Sequence, residues 1–237
     1  MRGIKSAVAA ALLVASTAAT AVETITVQWA ASIFSPPGAR DVGTVTFPTG
    51  STPTDAGRFH GAVTATGGGF DPGQLVDSAA NFYAYCHDLA QTIGSGTTYN
   101  VSYGASATML DFLGAVNAVI AGGDDYDWLR PTDSKTAAAI QLGIWEALHN
   151  DNFALTSGAV TFSSVQSDVQ TQFQLFVNAM AGSTNLDGSR VMTLTHYQRQ
   201  DVITGRLPPS LLVPEPGTLL LLGMAAAAAG VARRRLR

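Results

Sequence analysis

Phe82-Tyr83-Ala84-Tyr85-Cys86-His87-Asp88, read together with Ala139-Ile140-Gln141-Leu142-Gly143-Ile144-Trp145, decides how this chain is to be understood. The first stretch is aromatic-rich, predicts a strand over Phe82 to Leu89, and holds the only cysteine of the sequence. The second lies in a helical pattern from Ser134 to His149, with Ala137, Ile140, Gln141, Ile144, Trp145 and Leu148 on one face. Gln141 falls inside that apolar stripe, one turn before Trp145. A buried carboxamide without hydrogen bonds costs about 1–3 kcal/mol, so a glutamine there needs a reason. One reason is a satisfied core amide, beside a cysteine that is simply a small buried hydrophobe. The other is chemical: a thiolate can attack the carboxamide carbon, expel ammonia and leave an internal thioester.

Around these two stretches the pattern reads as strands, then three helices, then a strand or two. Glu23 to Trp29, Asp41 to Phe47 and Phe59 to Thr66 alternate as half-buried strands do, and Pro48 to Gly57 reads as a polar link between the last two. From Ala105 the period changes. Met109, Phe112, Leu113, Val116 and Ile120 are helically spaced, with Gly122-Gly123 to end the helix; Asp133 or Ser134 can cap the next, and Ser163 or Ser164 opens a third. Val191 to Ile203 returns to strand character. The expected fold class is α+β, a β-sheet or barrel-like body with a three-helix insertion, and no internal repeat is visible.

Composition narrows the function classes. The 237 residues carry a formal net charge of −4, but the extreme ends are basic. Between Val22 and Arg206 there are 16 acidic and 7 basic residues, a net of −9 for the central body. Such a surface repels polyanions, which argues against nucleic acid as a partner. Residues 1–21 have the pattern of a cleavable signal helix: Arg2 and Lys5, an apolar stretch from Ala7 to Ala15, and small residues with Ala19 and Ala21 at the cleavage site for signal peptidase.

The far end has three parts in order: Pro214-Glu215-Pro216, an apolar run from Leu219 to Ala232, and Arg233-Arg234-Arg235. The arginines would hold the end of a C-terminal membrane helix on the cytoplasmic side. This tail resembles the PEP-CTERM sorting signal of Gram-negative bacteria. The resemblance implies recognition and cleavage by an exosortase, transient anchoring in the inner membrane, and delivery to the cell surface or extracellular matrix. The expected organisation is therefore a signal peptide at 1–21, an α+β extracellular domain at 22–204, a linker at 205–213 and a sorting tail at 214–237.

Aromatic-Cys86-x-Asp88 followed by Ile140-Gln141-x-small-Ile144-Trp145-Glu146 resembles the paired motifs of bacterial thioester domains, over a core of 82–181. Gly143 stands where alanine is usual in such pairs and His87 where an aliphatic is usual. The resemblance implies a thioester between Cys86 and Gln141, with Asp88, Trp145 and Tyr85 in support, and an amine or hydroxyl on a surface target or exopolysaccharide as the partner. A cysteine hydrolase is the enzyme-class rival. It needs an imidazole beside the thiolate, and His87 is poorly placed because adjacent strand residues face opposite ways; His60, His149 and His196 remain open. No zinc-ligand spacing exists, and Asp124-Asp125-Tyr126-Asp127 lacks the pattern of a calcium loop, so no metal or cofactor is expected. The chain reads as a non-enzymatic exported protein, either a covalent adhesin or a structural protein of the biofilm matrix.

Overall fold

The computed structural model describes residues 21–36, 40–120, 124–150 and 152–208. Strands come first: β1 (Thr24–Phe34), β2 (Arg40–Phe47), β3 (Gly50–Ala56), β4 (Phe59–Gly67), β5 (Phe82–Cys86) and β6 (Thr97–Tyr103). Then follow α1 (Ala107–Ile120), α2 (Ser134–His149), the short β7 (Thr161–Ser163) and α3 (Ser167–Met180), and the chain closes with β8 (Val191–Thr195) and β9 (Val202–Gly205). Six strands form a closed barrel in the order β1-β4-β5-β9-β8-β6. The fold is thus mixed α/β with a six-stranded barrel and three helices. All three helices lie between β6 and β8, which are hydrogen-bonded neighbours, so they form an insertion into the barrel.

Alternation builds the barrel wall. On β1, Ile25, Val27 and Trp29 are buried, and Trp29 meets Phe59 edge-on with ring centroids 5.7 Å apart. A second sheet, ordered β3-β2-β7, packs with α2. Within this sheet Gly43 lets β2 and β7 come close: at φ +77° it lies where a Cβ would meet the Ser163 carbonyl oxygen at 1.7 Å.

Helix α2 is the centre of the molecule. Asp133 caps it, its carboxylate accepting from the Thr136 N–H at 2.7 Å, and every residue from Thr136 to Ala147 is buried. A helix covered on all sides needs small residues where neighbours press closest. At Gly143 a Cβ would sit 1.8 Å from Cζ of Phe112, a ring that is itself held by Phe153 and Phe176. An alanine at this position would therefore collide with α1.

Several local expectations are corrected. The presumed link at 48–57 contains β3, whose polar residues pair with β2 despite an internal Pro53. The third helix starts at Ser167 rather than Ser163 or Ser164, because Thr161 to Ser163 pair with β2 and Ser164 turns the chain at φ +64°. Strand β5 stops at Cys86, short of Leu89, where the Asp88 carboxylate accepts from the backbone N–H groups of Gln91 and Asp201. Pairing also runs past 204, since Arg206 N–H donates to the Arg190 carbonyl and Leu207 N–H to that of Gln74. The signal peptide expected at 1–21 lies outside the described residues but for Ala21, as do Gly122-Gly123 and the tail helix. Among the described residues no helix is long and apolar enough to cross a membrane.

Candidate functional site

Strand β4 pairs with β5 only as far as Ala84, which leaves the Cys86 backbone beyond the end of that ladder. The Gln141 side chain takes the place of the missing strand. Its Oε1 accepts from the Cys86 N–H at 2.8 Å, and its Nε2 donates to the Cys86 carbonyl, also at 2.8 Å. Gln141 is fully buried, so both ends of its carboxamide are satisfied in the interior. The helical stripe noted in the sequence brings it there, and its partner is the main chain of the only cysteine.

A cleft of about 430 Å³ opens at Cys86, with Gln141 buried behind it. Cys86, Trp145 and Phe59 line it together with Thr54 and Asp55 of β3 on one side and Gln91 on the other. Cys86 retains 5 % exposure. Burial, and after it the nearby Asp88 carboxylate, push the thiol well above its ordinary range, against a backbone hydrogen bond that favours the thiolate. The resting side chain is a protonated thiol. Two other clefts, of about 450 and 420 Å³, lie along β7 and α3; neither is lined by a titratable side chain.

The residues expected to support the pair divide by position. Trp145 lines the cleft and stacks on Phe162 at 5.9 Å, and among the described residues its buried Nε1 finds no hydrogen-bond partner. Asp88 shapes the cleft wall: besides its carboxylate bonds, its carbonyl accepts from Gln200 Nε2 at 3.1 Å. Tyr85 is directed elsewhere, stacking on Trp128 and donating its hydroxyl to the Trp128 carbonyl at 3.1 Å. Among the described residues no imidazole hydrogen-bonds the thiol. His60 stacks on Tyr83, and His196 Nδ1 accepts from the Gln198 N–H. Burial lowers the pKa of His87 and His149, against the carboxylates of Asp201 and Asp88 in the first case and Asp88 in the second. In the acidic loop, Asp124 pairs with Arg130 at 2.7 Å and Asp125 with Arg190 at 2.9 Å; no group of three metal-ligating side chains forms among the described residues.

One buried acid figures in the sequence only as a motif match. Glu146 is fully buried on α2; its Oε1 accepts from Asn150 Nδ2 at 3.1 Å, and among the described residues no well-formed hydrogen bond reaches its Oε2. Burial pushes its pKa up to about 7. The signal available was Glu146 standing between Trp145 and Ala147 on a helix buried on every side, a condition that local periodicity does not reveal.

The tail supplies the comparison with known proteins. Residues 212–235 match the PEP-CTERM protein-sorting motif. Pro214, Glu215, Pro216 and Arg233 to Arg235 fall inside the match. The PEP-CTERM match supports exosortase-dependent sorting of an exported protein, anchored transiently in the membrane before release. No curated protein and no solved structure matches the chain.

Proposed function

We propose that this exported, exosortase-sorted protein acts at the cell surface or in the extracellular matrix as a covalent adhesin, through a thioester between Cys86 and Gln141. The observation that carries the reading is the two-point contact of the Gln141 carboxamide with the Cys86 backbone, under a cleft that Cys86 itself lines. The contact holds the electrophilic carbon beside the residue that bears the nucleophile, and such positioning can replace much of the activation an unstrained amide needs. Attack by Sγ on Cδ makes the C–S bond and places negative charge on Oε1, which the Cys86 N–H already contacts. The C–N bond then breaks, the thiol proton passes to the departing nitrogen, and ammonia leaves. An amine or hydroxyl entering the cleft would attack the thioester carbonyl and become an amide or ester of residue 141, releasing the Cys86 thiol. The event is a single turnover, not an enzymatic cycle.

The same contact favours a second reading, a non-catalytic matrix protein in which Gln141 braces the end of β5. Its support is the complete satisfaction of the carboxamide by the main chain. Mass spectrometry separates the two. Fresh protein from the native host is expected to weigh one ammonia less than its processed sequence and to gain methylamine as an adduct. Cys86→Ala and Gln141→Ala each abolish both signatures. A full sequence mass, with one thiol that titrates only on unfolding, would establish the brace instead.

A further inference from the structure

The cleft at Cys86 has one wall made of the consecutive residues Thr52, Pro53, Thr54 and Asp55, and another made of Leu89, Ala90, Gln91 and Thr92. Side chains alternate along a strand, so a strand that meets a cleft with several residues in a row presents its edge to it. Strand β3 is such an edge, paired with β2 alone. The register fixes which backbone groups it offers. Phe162 N–H donates to the Leu155 carbonyl, so Phe162 faces away from β2, and Val45 opposite it faces away from β7 and toward β3. Thr52, the partner of Val45, is therefore bonded to β2, while Pro53 and, two residues on, Asp55 turn their backbone groups outward. Pro53 thus costs the sheet no hydrogen bond. Within the cleft, the outer edge offers the Pro53 carbonyl and both the N–H and the carbonyl of Asp55.

We propose that this edge docks an extended, basic polypeptide segment of a partner protein, which pairs with β3 and lies along the cleft past Cys86. Main chain on both walls favours a ligand that itself carries N–H and C=O groups at strand spacing. Charge selects a basic one. The Asp55 carboxylate is exposed and has no hydrogen-bond or ion-pair partner among the described residues, and the central body is net acidic. Gln91 Oε1 and Trp145 Nε1, buried atoms of residues that line the cleft and without partners among the described residues, add an acceptor and a donor. A second copy of this chain is a poor occupant. Pro53 removes a donor from the middle of β3 in each copy, and the chain's lysines are only Lys5, near its start, and Lys135, half-buried on α2. Docking stands on the cleft alone. Where the thioester forms, a lysine of the docked segment is the amine it captures, and only that step rests on the proposed function.

The full chain in detergent, with Cys86→Ala, carries no thioester, so docking is read apart from capture. Random heptapeptides displayed on phage are selected against it, and the enriched sequences are synthesised as blocked peptides. They are expected to be rich in lysine or arginine, to bind at least tenfold more weakly once alternate backbone nitrogens are methylated, and to lose affinity several-fold in Asp55→Asn. Asp55→Pro also removes the outward N–H and should weaken binding further. Should either variant disturb the fold, hydrogen exchange with residue 55 unchanged decides the matter. Saturating peptide is expected to slow the Asp55 amide at least tenfold and to leave that of Thr52, already bonded to β2, as it was. Enrichment of no peptide, binding indifferent to methylation, or an Asp55 amide that exchanges at its free rate overturns the proposal. So does protection of that amide by dextran alone, or by self-association of the chain. A full sequence mass in the parent protein leaves docking intact, and failure of docking leaves the thioester intact, so the two readings fail separately.

Discussion

Gln141 reaches across 55 residues of sequence to hydrogen-bond both backbone groups of Cys86, as a neighbouring strand would. The arrangement depends on the main chain at residue 86 and on the side chain at residue 141, and that asymmetry makes it open to test. In Gln141→Leu, a buried N–H and a buried carbonyl lose their partners, and the expected cost is roughly 2–5 kcal/mol. In protein that has not formed the thioester and so keeps the Gln141 carboxamide, Cys86→Ala leaves both bonds in place and is expected to cost about 1 kcal/mol. Urea unfolding of the two variants measures the difference; equal losses would show that the bonds contribute nothing.

Glu146 makes stability depend on pH in an unusual direction. Its carboxyl titrates at about 7 when folded against 4.5 as the ordinary value, so the folded state holds its proton longer than the unfolded chain. Stability from this group is complete below about pH 4.5 and falls as pH rises to about 7, by roughly 2–3 kcal/mol. The lowered pKa values of His87 and His149 act the opposite way. Subtracting the Glu146→Gln profile from that of the parent cancels them, and the difference should decline through this window. A flat difference would show that Glu146 has a partner for its second oxygen.

Gly143 is set by the Phe112 ring. Gly143→Ala gains about 1 kcal/mol of helix propensity, but its methyl enters a ring that two further aromatic side chains hold in place. The net expectation is a loss of about 1–3 kcal/mol. Combining it with Phe112→Leu should recover part of that loss relative to the sum of the single changes, which a double-mutant cycle measures.

Arg58 is a buried cation held by neutral oxygens. Its Nε donates to the Ser35 carbonyl at 2.7 Å, Nη2 to Ser35 Oγ at 3.1 Å and Nη1 to the Leu129 carbonyl, while the guanidinium covers the Tyr83 ring at 3.9 Å. These bonds tie β1, β4 and the segment before α2 together. A lysine has one donor centre and cannot reproduce the fork, so Arg58→Lys is expected to cost roughly 2–4 kcal/mol. A thermal midpoint equal to that of the parent would show that the fork is dispensable.

What the sequence by itself determined were features written in local order. Helix α2 runs from Ser134 to His149 as its apolar period and Asp133 cap indicate, and Pro214-Glu215-Pro216, the apolar run and the arginines marked the sorting tail without reference to any fold. Strands β1, β2 and β4 were legible from alternation. Strands β3 and β7 were not, because Gly50 to Ala56 and Thr161 to Ser163 are polar or short and owe their extended state to hydrogen bonds with β2. Tertiary structure alone decided how Gln141 is satisfied. Periodicity shows that the amide faces the interior, but its partner depends on β4 starting at Phe59, opposite Ala84, a matter of register between distant strands. The burial of Glu146 and the meeting of Glu23 with Arg206 on Tyr103 belong to the same class. Each depends on which segments the closed barrel and its helical insertion bring together, and no window of local sequence contains that contact.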